Sequence, residues 1–181
     1  MPLLIDGTNV ILAWGPKGSL EILTALCAEL VERGEDFTCI FDASTRYRLQ
    51  ISDRDSYLGL LNDSRCFSEA TGGIRADEFL LTLASADRDY KIISNDRFRD
   101  YREEYPWLES SEDTRLIKGN VFNNTLVVPS LGIVRQLAHA ERGNFSKRAI
   151  GYKPQPIARA LNREIGICFD CVHYLSHFSC S

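Results

Sequence analysis

Short apolar runs alternate along this chain with longer stretches in which apolar residues recur every three or four positions. Buried strands and amphipathic helices produce that alternation. Residues 2–6, P-L-L-I-D, predict a strand that turns at Gly7 and Thr8 and leads into the apolar run Val10 to Trp14. Gly15, Pro16 and Gly18 mark a loop. Ser19 is a good N-cap, and Leu23, Leu26, Cys27, Leu30 and Val31 share one face, so a helix is predicted over 20–33 with Gly34 as its stop. Residues 37–41, F-T-C-I-F, predict the second strand, ending at Asp42. A short helix near 54–61, a strand at 66–67 and a turn at Thr71-Gly72-Gly73 follow. The helix predicted over 76–88 turns Phe79, Leu80, Leu83 and Ala84 inward, and a fourth strand runs over 91–94, closed by Asn95-Asp96. A helical turn ends before Pro106. Residues 114–121 and 125–128 predict two strands around a hairpin turn at Asn123-Asn124, and 131–140 predict a helix. The order β-α-β-α-β-α-β predicts an α/β fold: a three-layer α/β/α sandwich on a central, mostly parallel sheet.

The 181 residues suit one domain with a tail, and 44% hydrophobic residues suffice for a core. Gly143, Gly151, Pro154 and Pro156 loosen residues 141–156, which sets the expected boundary near 140. Residues 1–140 are expected to form the compact domain, and 141–181 a basic linker and C-terminal helical tail with a last helix over 157–178. No apolar run approaches the ~18 residues of a membrane span. M-P-L-L-I-D has neither a basic n-region nor a cleavage pattern, so the expectation is a cytoplasmic protein without a signal peptide. Cys27, Cys39 and Cys66 lie in apolar settings and are expected to be buried free thiols rather than disulfides.

The net charge of −4 conceals a division: residues 1–134 balance at −8, residues 135–163 at +6 and residues 164–181 at −2. An acidic body with a basic segment (Arg135, Arg142, Lys147, Arg148, Lys153, Arg159, Arg163) fits a polyanionic substrate as well as a solvated linker.

Chemistry concentrates where strands should end and helices begin: Asp6 in I-D-G-T-N, Asp42 in F-D-A-S, Asp77 and Glu78 in I-R-A-D-E, and Asp96 and Asp100 in S-N-D-R-F-R-D. In an open α/β sheet these ends share one edge, where ligands bind. Carboxylates gathered there repel one another unless a cation neutralises them, and hard ions such as Mg²⁺ or Mn²⁺ take oxygen ligands. Singly, each acid has an ordinary alternative: Asp77 and Glu78 as first-turn acids, Asp42 as a turn or cap residue, Asp100 as a partner of Arg97 or Arg102. The joint placement points to a metal-dependent site acting on phosphate.

The phrases I-D-G-T-N-V, A-D-E-F-L and I-S-N-D-R-F-R-D-Y resemble the signatures of NYN domains in the PIN-like nuclease superfamily, most of all the regnase (MCPIP-type) endoribonucleases. The resemblance covers about residues 3–130, and S-N-D with R-D at fixed spacing is its most specific part. It implies a Mg²⁺- or Mn²⁺-dependent ribonuclease that hydrolyses single-stranded RNA to a 5′-phosphate. Asp6, Asp77, Asp96 and Asp100 fall on the family's metal-site positions and are the implied catalytic residues; Asp6, Asp96 and Asp77 are the candidate metal acids, with Asp42 as a further candidate. Glu78 stands where the regnases have Asp, one methylene shorter. The regnases carry a neighbouring CCCH zinc finger, and no such spacing occurs here. Many PIN-like nucleases dimerise, which makes a homodimer a possible state and Tyr101–Leu108 a candidate contact surface.

Asn9, Asn95, Arg46, Arg48, Arg75, Arg97 and Lys118 are candidate contacts to the RNA backbone, the two asparagines having backbone capping as their alternative. Trp14, Tyr47, Phe98 and Tyr101 are candidate stacking residues, each with local packing as its alternative. Near the end, Cys168, Cys171, His173, His177 and Cys180 include C-x-x-C and H-x-x-x-H spacings. The intervals are short for a zinc finger, and Phe169, Val172, Leu175 and Phe178 keep helical spacing, so an amphipathic helix is expected.

Other classes fit less well. A haloacid-dehalogenase-type phosphatase needs an Asp two residues before Asp6, where Leu4 stands. Nucleotide-binding enzymes of the G-x-G-x-x-G or G-x-x-x-x-G-K type are excluded by the lack of both phrases. The serious rival is a non-catalytic RNA-binding or scaffold protein that retains the fold.

Overall fold

The computed structural model describes residues 2–15, 18–70, 73–110 and 113–137. The expected boundary near 140, the basic linker, the last helix and the five Cys and His residues of the tail lie outside the described residues.

Five parallel strands form the central sheet: β1 (Leu3–Asp6), β2 (Phe37–Phe41), β3 (Phe67–Glu69), β4 (Lys91–Ile93) and β5 (Leu116–Ile117), in the order β3-β2-β1-β4-β5. The first strand is therefore the central one, flanked by β2 and β4. Alternation across the pleat builds two apolar layers. Leu3, Ile5, Phe37, Cys39, Phe41 and Ile93 pack to one side beneath α1 (Gly7–Ala13), α2 (Leu20–Glu32) and α4 (Ile51–Leu61). Leu4, Ile40 and Ile92 pack to the other against α5 (Ala76–Ala86). This is the expected three-layer α/β/α sandwich.

Sequence signals set most of the helix limits. Ser19 Oγ accepts the Glu21 N–H at 3.2 Å and starts α2, which stops before Gly34 at φ 70°. In α5, Leu80, Leu83 and Ala84 are buried as expected, with Leu81 beside them.

Four features depart from the sequence expectation, the first being the single strand expected over 114–121, which divides between β5 and a strand of a second sheet. The turn expected at Gly7-Thr8 is already the first turn of α1, with Asp6 as its N-cap. Thr45–Arg48 forms a further one-turn helix, α3. The helix expected over 131–140 is instead, in its described part, strand β8 (Ile133–Gln136). With β6 (Asn120–Phe122) and β7 (Thr125–Val128) it makes a second, antiparallel sheet in the order β6-β7-β8. Asn123 and Asn124, at φ 46° and 59°, form the expected hairpin turn between β6 and β7. Leu126, Val128 and Ile133 join the core on the α2 side. Arg135 fastens the sheet to α2 through Glu29 and Glu32 at 2.9 and 3.0 Å. Cys27, Cys39 and Cys66 are buried free thiols, and burial raises all three. No helix among the described residues is long and apolar enough to cross a membrane.

Candidate active site

The parallel register assembles the site. Ile5 pairs with Ile93 and Asp6 with Ile40, so Asp6, Asp42 and Ser94 stand at the carboxyl ends of three adjacent strands. Asp6 is buried, at 3% exposure. One carboxylate oxygen accepts the Asn9 N–H at 3.0 Å, and the other accepts the Ser94 hydroxyl at 2.8 Å. Burial nevertheless pushes Asp6 up to about 7, against those two hydrogen bonds, and Asp77 and Asp42 add to the rise.

Each letter of the phrase after β1 has a structural reason. A side chain at Gly7 would overlap the Phe41 ring and the Cys39 sulfur, so only glycine lets α1 leave β1 against β2. The Thr8 hydroxyl bonds to the Thr45 hydroxyl at 2.7 Å and to the Asp42 N–H at 2.9 Å. Asn9 Oδ1 accepts the Trp14 indole N–H at 3.1 Å and the Asn95 N–H at 2.9 Å. The amide of Asn95 in turn pairs with both backbone groups of Gly119. Asn9 thus ties the first strand end to the fourth, and Asn95 ties the fourth to the start of the second sheet. The capping alternative describes both carbonyl oxygens. The Asn9 Nδ2 has no hydrogen bond among the described residues, and Asn9 borders the cleft.

That cleft is an open cavity of about 500 Å³ along the sheet edge. Its walls are Asn9, Arg75, Asp77, the segment Asn95–Tyr101 and Ala13, so it holds Asp77, Asp96 and Asp100 together with Arg75, Arg97 and Arg99. Asp96 Oδ1 accepts the Phe98 N–H at 2.7 Å, which folds S-N-D-R-F-R-D into a tight turn. Phe98 sits at φ 47° with its ring buried. This left-handed backbone swings Asp100 and Tyr101 to the cleft wall. Asp77 opens α5, and burial raises its carboxyl, followed by Asp96, Asp42 and Asp100, while Arg75 at 3.4 Å lowers it. Asp42 receives the Ala76 N–H at 3.3 Å and so caps α5 from the neighbouring strand end.

The five acids therefore share one electrostatic neighbourhood, with Asp6 and Asp42 outside the named walls of the cleft. Among the described residues, no three acidic, His or Cys side chains close on a common point as a ready ligand set. The donor chemistry still suits a hard cation. All the donors are oxygens, and the charged groups acting on buried Asp6 are themselves acids. Mg²⁺ keeps several waters and binds through one or two carboxylates, which this spread of acids allows. Glu78 is exposed and acts on Tyr101 and Tyr105.

The candidate contacts divide. Arg75 and Arg97 line the cleft, and Lys118 donates to the Asp96 carbonyl at 2.7 Å beside it. Arg46 is engaged by both carboxylate oxygens of Glu69, which also takes the Tyr57 hydroxyl at 2.7 Å. Arg48 and Tyr47 are exposed on α3, away from the cleft walls. Trp14 and Phe98 are core residues, which leaves Tyr101 as the cleft's aromatic ring with exposed surface. Sequence reasoning missed Ser94, Thr8 and Arg99. Ser94 and Arg99 lie inside the acidic phrase, and Thr8 inside the first one.

An all-parallel central sheet with β1 in the middle and helices on both faces is the architecture of a doubly wound α/β domain and accords with the PIN-like fold. The chain belongs to the family of Zc3h12a-like ribonuclease NYN domains, whose model matches residues 1–135. Among solved structures it is similar to nuclear proteinaceous RNase P 2 from A. thaliana, with a TM-score of 0.55 and 14% identity. That likeness covers 75% of this chain and 30% of the other, and it concerns the fold. Comparison with curated proteins finds no match.

Proposed function

We propose that this ribonuclease domain hydrolyses phosphodiester bonds of single-stranded RNA with Mg²⁺ or Mn²⁺. The observation that carries the reading is Asp6: a buried acid at the carboxyl end of the central strand, raised further by Asp77 and Asp42, beside a cleft rimmed by three arginines.

Asp6 and Asp96 would hold the ion, directly or through water, with Asp42 and Asp77 completing the acidic surroundings. Bound there, the ion would supply the charge that polarises the scissile phosphate and acidifies a water. Asp77, whose carboxyl is already raised, is suited to take the proton of the attacking water, and Asp100, which lines the same cleft, to orient that water. The water oxygen bonds to phosphorus, the bond to the 3′ oxygen breaks as that oxygen takes a proton from solvent, and the products carry a 5′-phosphate and a 3′-hydroxyl. Arg75, Arg97, Lys118 and the Asn9 amide hydrogens would engage neighbouring phosphates.

Incubating a labelled single-stranded RNA with Mn²⁺, beside the Asp96→Asn variant, tests the reading. Cleavage by the wild type alone, lost in excess EDTA, is the expected result. Undiminished cleavage by the variant or in EDTA overturns the metal mechanism. RNA binding without cleavage under any divalent ion would instead favour the non-catalytic role.

A further inference from the structure

The wall of the cleft formed by Tyr101 has no part in the chemistry above, and its construction is specific. Tyr101 ends the short turn Arg99–Tyr101, and its N–H bonds to the Phe98 carbonyl at 3.0 Å. The Tyr105 N–H bonds in turn to the Tyr101 carbonyl at 2.8 Å, and the two rings lie 6.4 Å apart at 53°. The Tyr105 hydroxyl is anchored on Thr82 at 3.2 Å. Tyr101 is thus held from behind, while its ring keeps exposed surface at the cleft. The Arg75 guanidinium lies over that ring, 5.7 Å from its centroid, and reaches Asp77 at 3.4 Å. With its side chain 63% exposed, Arg75 is only weakly held by Asp77.

A fixed aromatic ring and a planar cation at the edge of a phosphate-binding cleft form a stacking platform for an unpaired base. We propose that Tyr101 and Arg75 seat the base of a nucleotide next to the scissile phosphate, so that the domain selects unpaired RNA by stacking as well as by charge. The inference rests on the single-stranded RNA reading of this site. Both residues lie within electrostatic reach of Asp77, and Asp100 also acts on Tyr101, which places the seated base beside the reacting acids. A paired base offers no free face, so a duplex gains nothing from the platform.

The test measures binding rather than turnover, in the Asp96→Asn background. A labelled single-stranded oligoribonucleotide is compared with versions that carry an abasic site at each position in turn. One position should weaken binding by roughly tenfold when its base is removed, the size expected for loss of one base–aromatic stack. In Tyr101→Leu that same abasic penalty should vanish, while Tyr101→Phe should retain it. Arg75→Lys, which keeps the charge without the plane, should reduce the penalty while leaving the salt dependence unchanged. Arg75 is exposed, so that variant remains informative if Tyr101→Leu fails to fold. A penalty that persists at full size in Tyr101→Leu, or in Arg75→Lys where only that variant folds, overturns the platform. Absence of cleavage in the wild type with an intact Tyr101-dependent penalty would refute the catalytic reading and leave the platform standing.

Discussion

The Ser94 hydroxyl donates to Asp6 Oδ2 across 2.8 Å while accepting the Asp96 N–H at 3.0 Å. One buried serine therefore connects the acid at the end of the central strand with the acid just beyond its neighbour. Ser94→Ala removes both links at once. A buried carboxylate that loses a donor and a backbone N–H that loses an acceptor should together cost about 1–3 kcal/mol of stability. The Asp6 carboxyl should then rise further, since the Ser94 hydrogen bond opposes its burial. Denaturant unfolding reads the first effect. Cleavage rate against Mn²⁺ concentration reads the second, with apparent metal affinity falling on the order of 10–100-fold.

Asp6 also makes stability depend on pH with a definite sign. Its carboxyl titrates near 3.8 when unfolded and at about 7 when folded. Between those values the folded state binds the extra proton, so stability falls as pH rises from about 4 to 7, and the loss is then complete. The full effect is of order 4 kcal/mol. Metal-free wild type should therefore lose stability relative to Asp6→Asn between pH 5 and pH 8. Mn²⁺ should raise the melting temperature of the wild type at pH 8, scarcely at pH 5, and not at all in Asp6→Asn. Thermal melts with and without the ion decide it, and a wild type indifferent to Mn²⁺ at pH 8 would count against a cation beside Asp6.

The reach of the sequence differs between the two halves of the site. In the first phrase the strand and its acidic end were legible, while the helix that begins at Gly7 and the role of Thr8 were not. The acidic turn was legible because S-N-D-R-F-R-D keeps its whole geometry local. Local packing is the reading the sequence favours for Trp14 and Phe98, and both are buried. The left-handed backbone at Phe98 that accompanies its burial leaves no mark in composition. The pairing of Arg46 with Glu69 joins residues on different elements, and no local spacing reports it. Leu131, Val134 and Leu137 keep a three-residue interval that does not exclude a helix where β8 forms. Gly132 at φ 62° breaks that path, and pairing with β7 decides the outcome. Tertiary pairing overrides such short signals.

Gly119 lies outside the acids yet should matter to them. A methyl group there would overlap the Trp14 ring, and Trp14 donates to the same Asn9 oxygen that holds the Asn95 N–H. Gly119→Ala should therefore cost about 1–3 kcal/mol through overpacking. It should also shift the tryptophan fluorescence and slow cleavage. Gly59→Ala, at a glycine on α4 with open space around it, is the control and should leave both unchanged.

The arginines make opposite predictions that a salt titration separates. Arg97 lines the cleft and has no ion pair among the described residues, so it is available to a phosphate. Arg97→Ala should weaken single-stranded RNA binding across all sequences. It should also reduce the slope of log affinity against log salt by about 0.7, the share of one phosphate contact. Arg46 is occupied by Glu69, and removing it leaves that half-buried carboxylate with the Tyr57 hydroxyl. Arg46→Ala should cost about 1 kcal/mol of stability, discounted for the exposure of the arginine, and leave both affinity and salt slope unchanged. Fluorescence anisotropy at several salt concentrations, in the Asp96→Asn background, measures both variants. A reduced slope in Arg46→Ala would mean that the ion pair opens to admit RNA, and an unchanged slope in Arg97→Ala would move the phosphate path to another wall of the cleft.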